Sequence, residues 1–244
     1  GEGDRATIFE CDTSNGFNSD WFLEIAGGTN SRNFRLVGIG KLGLGLYIGN
    51  IDDNLGFSGN GMYENIIVTA FARAMKINST YSMKYTNIVC ESNGAGCEMI
   101  AENDAGDNGY STNSTFINCN FRFNDDFGFV ANSPLGNRNT RFISCSIEGN
   151  NGATSGYQSY FKFGEYYMDG LYFEGSSTIP ALRTEQARFE CSDWYFNGTG
   201  GVDLVVGQSQ NITMSNVKCV SATDLFIFTP SSINQTKNRE NENS

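Results

Sequence analysis

The sequence contains no histidine. That absence removes every Ser-His and Cys-His nucleophile pair, and every histidine-ligated metal, from the chemistry of this chain. Carboxylate, lysine, arginine and tyrosine chemistry stay open. Cations are also scarce: 16 Lys and Arg stand against 27 Asp and Glu, a net charge of −11. A nucleic-acid reader needs a basic footprint, so that class is disfavoured. Only three prolines occur, no long charged block is present, and no apolar run reaches the roughly 18 residues of a membrane-spanning helix. The seven cysteines include no CxxC pair, so the ligand spacing of a zinc site is missing.

Glycine and asparagine are abundant instead, at 29 residues each. Both tolerate the left-handed backbone of tight turns, so the chain turns often. Its first residues, "GEGDRATIFE", lie close to a strand with no initiator Met or signal peptide, and read as part of a longer product.

The chain repeats itself. Residues 116–121 read "FINCNF" and residues 142–147 read "FISCSI". Taking Cys119 as an anchor, equivalent phrases supply Cys11, Leu36, Val68, Cys90, Cys145, Leu171, Cys191 and Met214, at a mean spacing of about 25 residues. A second series follows each anchor: Ile48, Ile77, Met99, Phe129, Phe163, Leu182, Val205 and Ile227. Both series alternate apolar and polar residues and are rich in β-branched and aromatic side chains, the signature of half-buried strands. Self-similarity at this period signals a solenoid. With two or three short strands per turn and Gly/Asn corners, the expected fold is all-β: a right-handed, single-stranded parallel β-helix of about nine coils. The anchors Val68, Cys90, Cys119, Cys145, Leu171, Cys191 and Met214 are expected in one inward row. Asn33, Asn65, Asn87 and Asn211, three before an anchor, are expected at turns, bonded to neighbouring backbone.

The phrases "SRNFRLVGIG", "YENIIVTAF", "STFINCNF" and "TRFISCSIEGNNG" resemble the pectate-lyase-like superfamily of right-handed parallel β-helices. Within it the chain looks most like the shaft of bacteriophage tailspikes and capsule depolymerases. The resemblance spans about residues 5–230. It implies a homotrimer on the phage tail that binds a long bacterial surface polysaccharide and usually cleaves it by hydrolysis or β-elimination. That family has no universal catalytic motif, so it assigns no site residue here.

Residues 1–230 are read as one β-helix domain and 231–244 as a loose polar tail. Insertions at 101–113 and 148–160 break the rhythm, and long solenoid loops commonly gather on a binding face. The apolar runs "DLVVG" and "DLFIF" place Leu204, Val206, Phe226 and Phe228 outward if Val205 and Ile227 point in. That patch would suit burial against a partner copy.

Counting outward from the anchors gives candidate chemistry. Three residues after successive anchors stand Asn93, Arg122, Glu148, Glu174 and Trp194, with Tyr172 and Glu190 beside them. Glu148 and Glu174 are the expected catalytic carboxylates: stacked about 5 Å apart, they suit an acid beside a nucleophile or base. Arg122, Tyr172, Trp194 and Glu190 are the expected substrate-binding residues, the aromatics stacking sugar rings and Arg122 clamping an acidic sugar. A solvated charged face is the plain alternative. Glu98, Glu102, Asp104, Asp107, Asp125 and Asp126 form a second acidic group, but without calcium-loop spacing, so no metal or other cofactor is expected. Lys76 and Lys162 are candidate bases for a lyase. Hydrolase, lyase and non-catalytic receptor-binding spike all stay open, with no nucleic-acid partner and no membrane insertion expected.

Overall fold

A computed structural model describes residues 7–10, 21–26, 28–49, 58–100, 111–175, 179–197, 202–207, 211–220, 224–228 and 235–237. The described chain is all strand and turn, wound as a parallel β-solenoid with no helix among those residues. One ladder runs through Asn30–Val37, Met62–Thr69 and Lys84–Glu91, and on to the paired short strands Thr115–Ile117 and Asn120–Arg122. It continues through the end of Phe129–Ile143 with Ser146–Glu148, the end of Ser159–Asp169 with Tyr172–Glu174, Leu182–Asn197, and Asn211–Val220. A second ladder joins Leu44–Gly49, Arg73–Asn78 and Ala95–Ile100 to the first halves of the same long strands. The first ladder makes eight passes over the core, against the nine coils expected. At one end Thr7–Glu10 pairs with the ladder yet is exposed along its whole length. At the other, Gln235–Lys237 adds a short strand to Asn211–Val220.

Each pass of the first ladder is kinked at one residue with positive φ. The column is Asn33, Asn65, Asn87, Asn118, Ser144, Gly170, Asp193 and Asn216. Asn and Gly reach this left-handed region most easily, which is why the corner is written in those letters. Here the Asn side chains bond one another more than the backbone: Asn65 Nδ2 donates to Asn33 Oδ1 at 2.9 Å, and Asn87 Nδ2 to Asn65 Oδ1 at 2.8 Å. Asn211 lies outside this column. It opens its strand opposite Arg188, and Asn216 takes the corner.

The kink changes how the strands are counted. Residues 116 and 121 both face inward because the corner inserts one residue between two alternating runs. The described anchors all face the core, but in three rows rather than one; Cys11 lies outside the described residues. Register aligns Leu36, Val68 and Cys90 with Phe121, Ile147, Phe173 and Phe196. Cys119, Cys145 and Leu171 occupy the row just past the corner, with Trp194. Cys191 and Met214 continue the row of Tyr63, Tyr85, Phe116, Phe142 and Met168. That last row is a stacked aromatic column, with ring centroids 5.5, 4.6 and 4.8 Å apart from Tyr63 to Phe142. Each such ring contributes about 1.5–3 kcal/mol by burial alone. Cys90, Cys97, Cys119, Cys145 and Cys191 are free and buried, acting as small apolar fillers.

At the next turn a second amide ladder runs inside. Asn93, Asn124 and Asn150 are fully buried, and each accepts from the backbone N–H of the preceding rung, at Phe71, Asn93 and Asn124. Their amide nitrogens donate to Val68, Cys90 and Phe121 carbonyls. Asn93 was expected on the outward column. It instead satisfies buried backbone that would otherwise cost about 1–3 kcal/mol per unpaired group.

The outward set expected at the far end, Leu204, Val206, Phe226 and Phe228, rests on side chains outside what is described. Leu204 and Val206 pair in register with Leu182 and Thr184, which are buried, and Phe226 and Phe228 follow them.

Candidate functional site

Past the Asn corner, outward positions recur at 67 and 69, 89 and 91, 120 and 122, 146 and 148, 172 and 174, and 195 and 197, either side of the buried row. The outermost of these form one column: Thr69, Glu91, Arg122, Glu148, Glu174 and Asn197, joined strand to strand in register. Arg122, Glu148 and Glu174 are therefore neighbours on successive coils, as the sequence indicated. The column ends its strand immediately before a second left-handed position, occupied by Ala70, Ser92, Phe123 and Gly149. Gly149, at φ 58, anchors the backbone directly after Glu148. A Cβ there would meet the Phe123 ring at 2.8 Å.

The column is not uniform. Arg122 Nε and Nη2 both donate to Glu91 Oε2, at 3.0 and 2.9 Å, and the guanidinium lies 5.7 Å from the Phe123 ring centroid. Arg122 is thus spent on Glu91, and the clamp expected for an acidic sugar is occupied. Glu174 Oε2 accepts from the Tyr172 hydroxyl at 2.8 Å, and the Tyr172 hydroxyl oxygen accepts in turn from Asn197 Nδ2 at 3.0 Å. The Asn197 amide favours the phenolate, but slight burial, the bond to Glu174 and the charges of Glu174 and Glu148 together hold the Tyr172 phenol above its usual range. Glu148, half-buried, has no hydrogen-bond or ion-pair partner among the described residues.

Tyr172 stacks on Tyr195, centroids 5.6 Å apart and planes within 9°. One face of its ring is covered, so its hydroxyl, rather than its face, is what it brings to the site. Trp194 is not in the site at all. It is buried in the corner row against Phe173 and Phe196, and its indole N–H has no partner among the described residues. Asn197 takes the position assigned to it. Glu190 lies before the corner, on the adjacent outward column Arg141, Tyr167, Glu190, Thr213, and pairs with Arg188 at 2.6 Å. Sequence reasoning missed Glu91, Tyr195 and Asn197. Aligning on the left-handed corner letters instead of on cysteine places all three.

The remaining candidates are engaged elsewhere. Lys162 Nζ lies 3.3 Å from Glu185, which also accepts from the Tyr160 hydroxyl at 2.7 Å and has Arg183 at 3.8 Å. The Tyr160 phenol, opposed by slight burial and aided by Lys162 and Arg183, holds the Glu185 carboxyl below its ordinary 4.5. Lys76 sits in register with Tyr47 and Glu98 on the second ladder. Glu98 pairs with Arg73 and Asp125 with Lys41, both at 2.6 Å, while Asp126 accepts from the backbone N–H groups of Thr154 and Ser155. Those last bonds fold the 148–160 insertion back onto the previous coil. Glu102, Asp104 and Asp107 lie outside the described residues. No cluster of three or more metal-ligating side chains occurs among the described residues.

No family model matches the sequence, and no curated protein does. Among solved structures, the A-module of mannuronan C-5 epimerase AlgE4 from Azotobacter vinelandii is 12% identical with a TM-score of 0.43, over 83% of this chain and 64% of that one. ORF18 of Geobacillus virus E2 is 12% identical with a TM-score of 0.36, over 93% of this chain and 56% of that one. The chain therefore spans less than two thirds of either. The parallel β-solenoid rests on its own strand register, and no residue role comes across from these likenesses.

Proposed function

We propose that the chain is the glycan-binding shaft of a phage tailspike-type depolymerase, hydrolysing a bacterial capsular or O-antigen polysaccharide with Glu148 and Glu174 as its catalytic pair. The observation that carries this is the difference between the two carboxylates. Glu174 accepts a phenolic hydrogen bond that fixes its orientation, which suits a nucleophile or base. Glu148, on the next strand, is left without a protein partner and is available to protonate a leaving oxygen. In-register neighbours begin about 4.8 Å apart at the backbone, nearer the separation of retaining than of inverting glycosidases. Tyr172 and Asn197 position Glu174. In the same proposal the protein works on the phage tail as a homotrimer, at the bacterial surface.

The test is release of reducing ends from a panel of purified capsular and O-antigen polysaccharides, with ultraviolet absorbance followed for unsaturated ends. Hydrolysis gives the first signal without the second. Binding without any product, or full activity in both Glu148→Gln and Glu174→Gln, overturns the catalytic assignment.

A further inference from the structure

Before the Asn corner, on the adjacent face, two outward columns enclose an open trough of about 470 Å³. One wall is Arg141, Tyr167, Glu190 and Thr213, and the other is Ile143, Asp169, Ser192 and Ser215, each drawn from four successive coils. The floor is the backbone of the buried row between them. Four strands at about 4.8 Å make the trough about 14 Å long, and two residues of extended chain make it about 7 Å wide. It is a slot parallel to the solenoid axis, long and narrow enough for a linear chain of rings and not for a helix or a strand with its side chains.

Its lining is mixed in a particular way. Ile143 is 36% exposed and offers an apolar surface, and Tyr167 is half-buried with the Arg141 guanidinium 5.6 Å from its ring centroid. The Tyr167 hydroxyl has no hydrogen-bond partner among the described residues. Asp169 uses Oδ1 to accept from Ser192 at 2.7 Å, and Glu190 uses Oε1 for Arg188 at 2.6 Å. In both carboxylates the second oxygen is not taken by any described residue. Acceptors on opposite walls, with apolar and ring surface toward one end and hydroxyls at the other, match a ring that has one apolar face and a rim of hydroxyl donors.

We propose that this trough is a saccharide subsite that holds uncharged sugar residues of the polymer cut on the neighbouring face. A uronate in the middle of the slot would meet Asp169 and Glu190 from opposite walls, and the chain as a whole carries −11. Arg122, the cation of the neighbouring column, is consumed by Glu91. The single trough cation, Arg141, lies at one end, stacked on Tyr167. The slot thus selects against polyuronates and for neutral hexose or N-acetylhexosamine segments. This rests on the depolymerase function proposed above, and adds where the chain is gripped and what charge it has there.

The experiment compares neutral capsular polysaccharides with uronate-bearing ones, the latter before and after chemical reduction of their carboxyl groups to alcohols. Kinetics are measured on the unaltered protein, Tyr167→Ala and Asp169→Asn. The expected result is activity on neutral or carboxyl-reduced polymers, and a rise in KM of about tenfold in each variant, the scale of one lost hydrogen bond or ring contact. Asp169 is exposed, so Asp169→Asn reads the trough even where Tyr167→Ala fails to fold. An unmoved KM in Asp169→Asn, or preference for the uronate-bearing polymer over its reduced form, overturns the trough while Glu148→Gln still reads the catalytic pair independently. An unaltered protein that neither binds nor cuts any glycan overturns the function on which the inference rests.

Discussion

Glu148 and Glu185 are the same side chain on two faces of one rod, and their surroundings are opposite. Glu185 is ringed by Tyr160, Lys162 and Arg183. Glu148 stands between Arg122, which has turned to Glu91, and Glu174, which has turned to Tyr172. A carboxylate saturated by its neighbours holds structure together and has little left for a ligand. One left alone beside another carboxylate adds nothing to folding and keeps its full capacity for proton transfer. The contrast separates a structural ion cluster from a candidate catalytic group more sharply than charge or exposure does.

The largest effect that tests this contrast is on turnover. Glu148→Gln and Glu174→Gln should each lower depolymerase turnover by about 10²-fold or more, the scale of acid–base catalysis, with thermal midpoints unchanged within a degree or so. Glu185→Gln should do the reverse. A loss of turnover in Glu185→Gln, or of folding in Glu148→Gln, would erase the distinction.

A smaller effect is expected at the residue that holds Glu174. Tyr172→Phe removes one charge-assisted hydrogen bond and should lower kcat about tenfold. Its KM should hold, because the hydroxyl positions a carboxylate rather than the sugar. A fall expressed only in KM would make Tyr172 a binding residue instead.

The smallest effect is on stability. The Glu185 carboxyl is held below 4.5, so its contribution is fully present above about pH 4.5 and is lost as pH falls through the lowered folded value. Glu185→Gln should therefore lower the unfolding free energy at pH 7 by on the order of 1 kcal/mol, discounted for solvent screening. The difference from the unaltered protein should vanish once the pH has fallen below that lowered folded value. Tyr160→Phe combined with Glu185→Gln should cost less than the sum of the two, because they share one bond. Additive losses, or a difference that persists into acid, would assign the cluster no net stabilisation.

Much of the fold was legible because the repeat is physical. Each coil must present the same inward alternation, so Phe116, Cys119 and Phe121 are rewritten as Phe142, Cys145 and Ile147. The triad Arg122, Glu148 and Glu174 was legible for the same reason, since period-2 alternation holds within an unbroken strand. Trp194 was lost where the alternation breaks. Matching Cys191 to Cys145 skipped the corner: Asp193, at φ 53, is the residue equivalent to Ser144, so Trp194 matches Cys145 and falls inside. Cysteine was a poor ruler because it serves three inward rows equally well. The left-handed Asn, Ser, Gly or Asp is the better one, since backbone geometry allows few letters there. Ion-pair choices, such as Arg122 taking Glu91 and not Glu148, depend on side-chain reach between rungs and leave no trace in spacing.

The buried chain of amides through Asn93, Asn124 and Asn150 bears on how the molecule comes into being. Its links join residues 22 to 34 apart in sequence, as do most other bonds between coils, the Lys41–Asp125 pair excepted. Divided by chain length, that gives a relative contact order of roughly 0.1, well below β-sandwiches and closer to helical bundles. No coil waits for a distant part of the chain. Each finished rung presents backbone N–H donors and carbonyl acceptors at a fixed height, and the next stretch of nascent polypeptide has only to lie down on it. Folding then spreads like the growth of a crystal along one axis, rung templating rung. The amide chain supplies the growing face, and it is hardest to interrupt in the middle and easiest to unravel at an end.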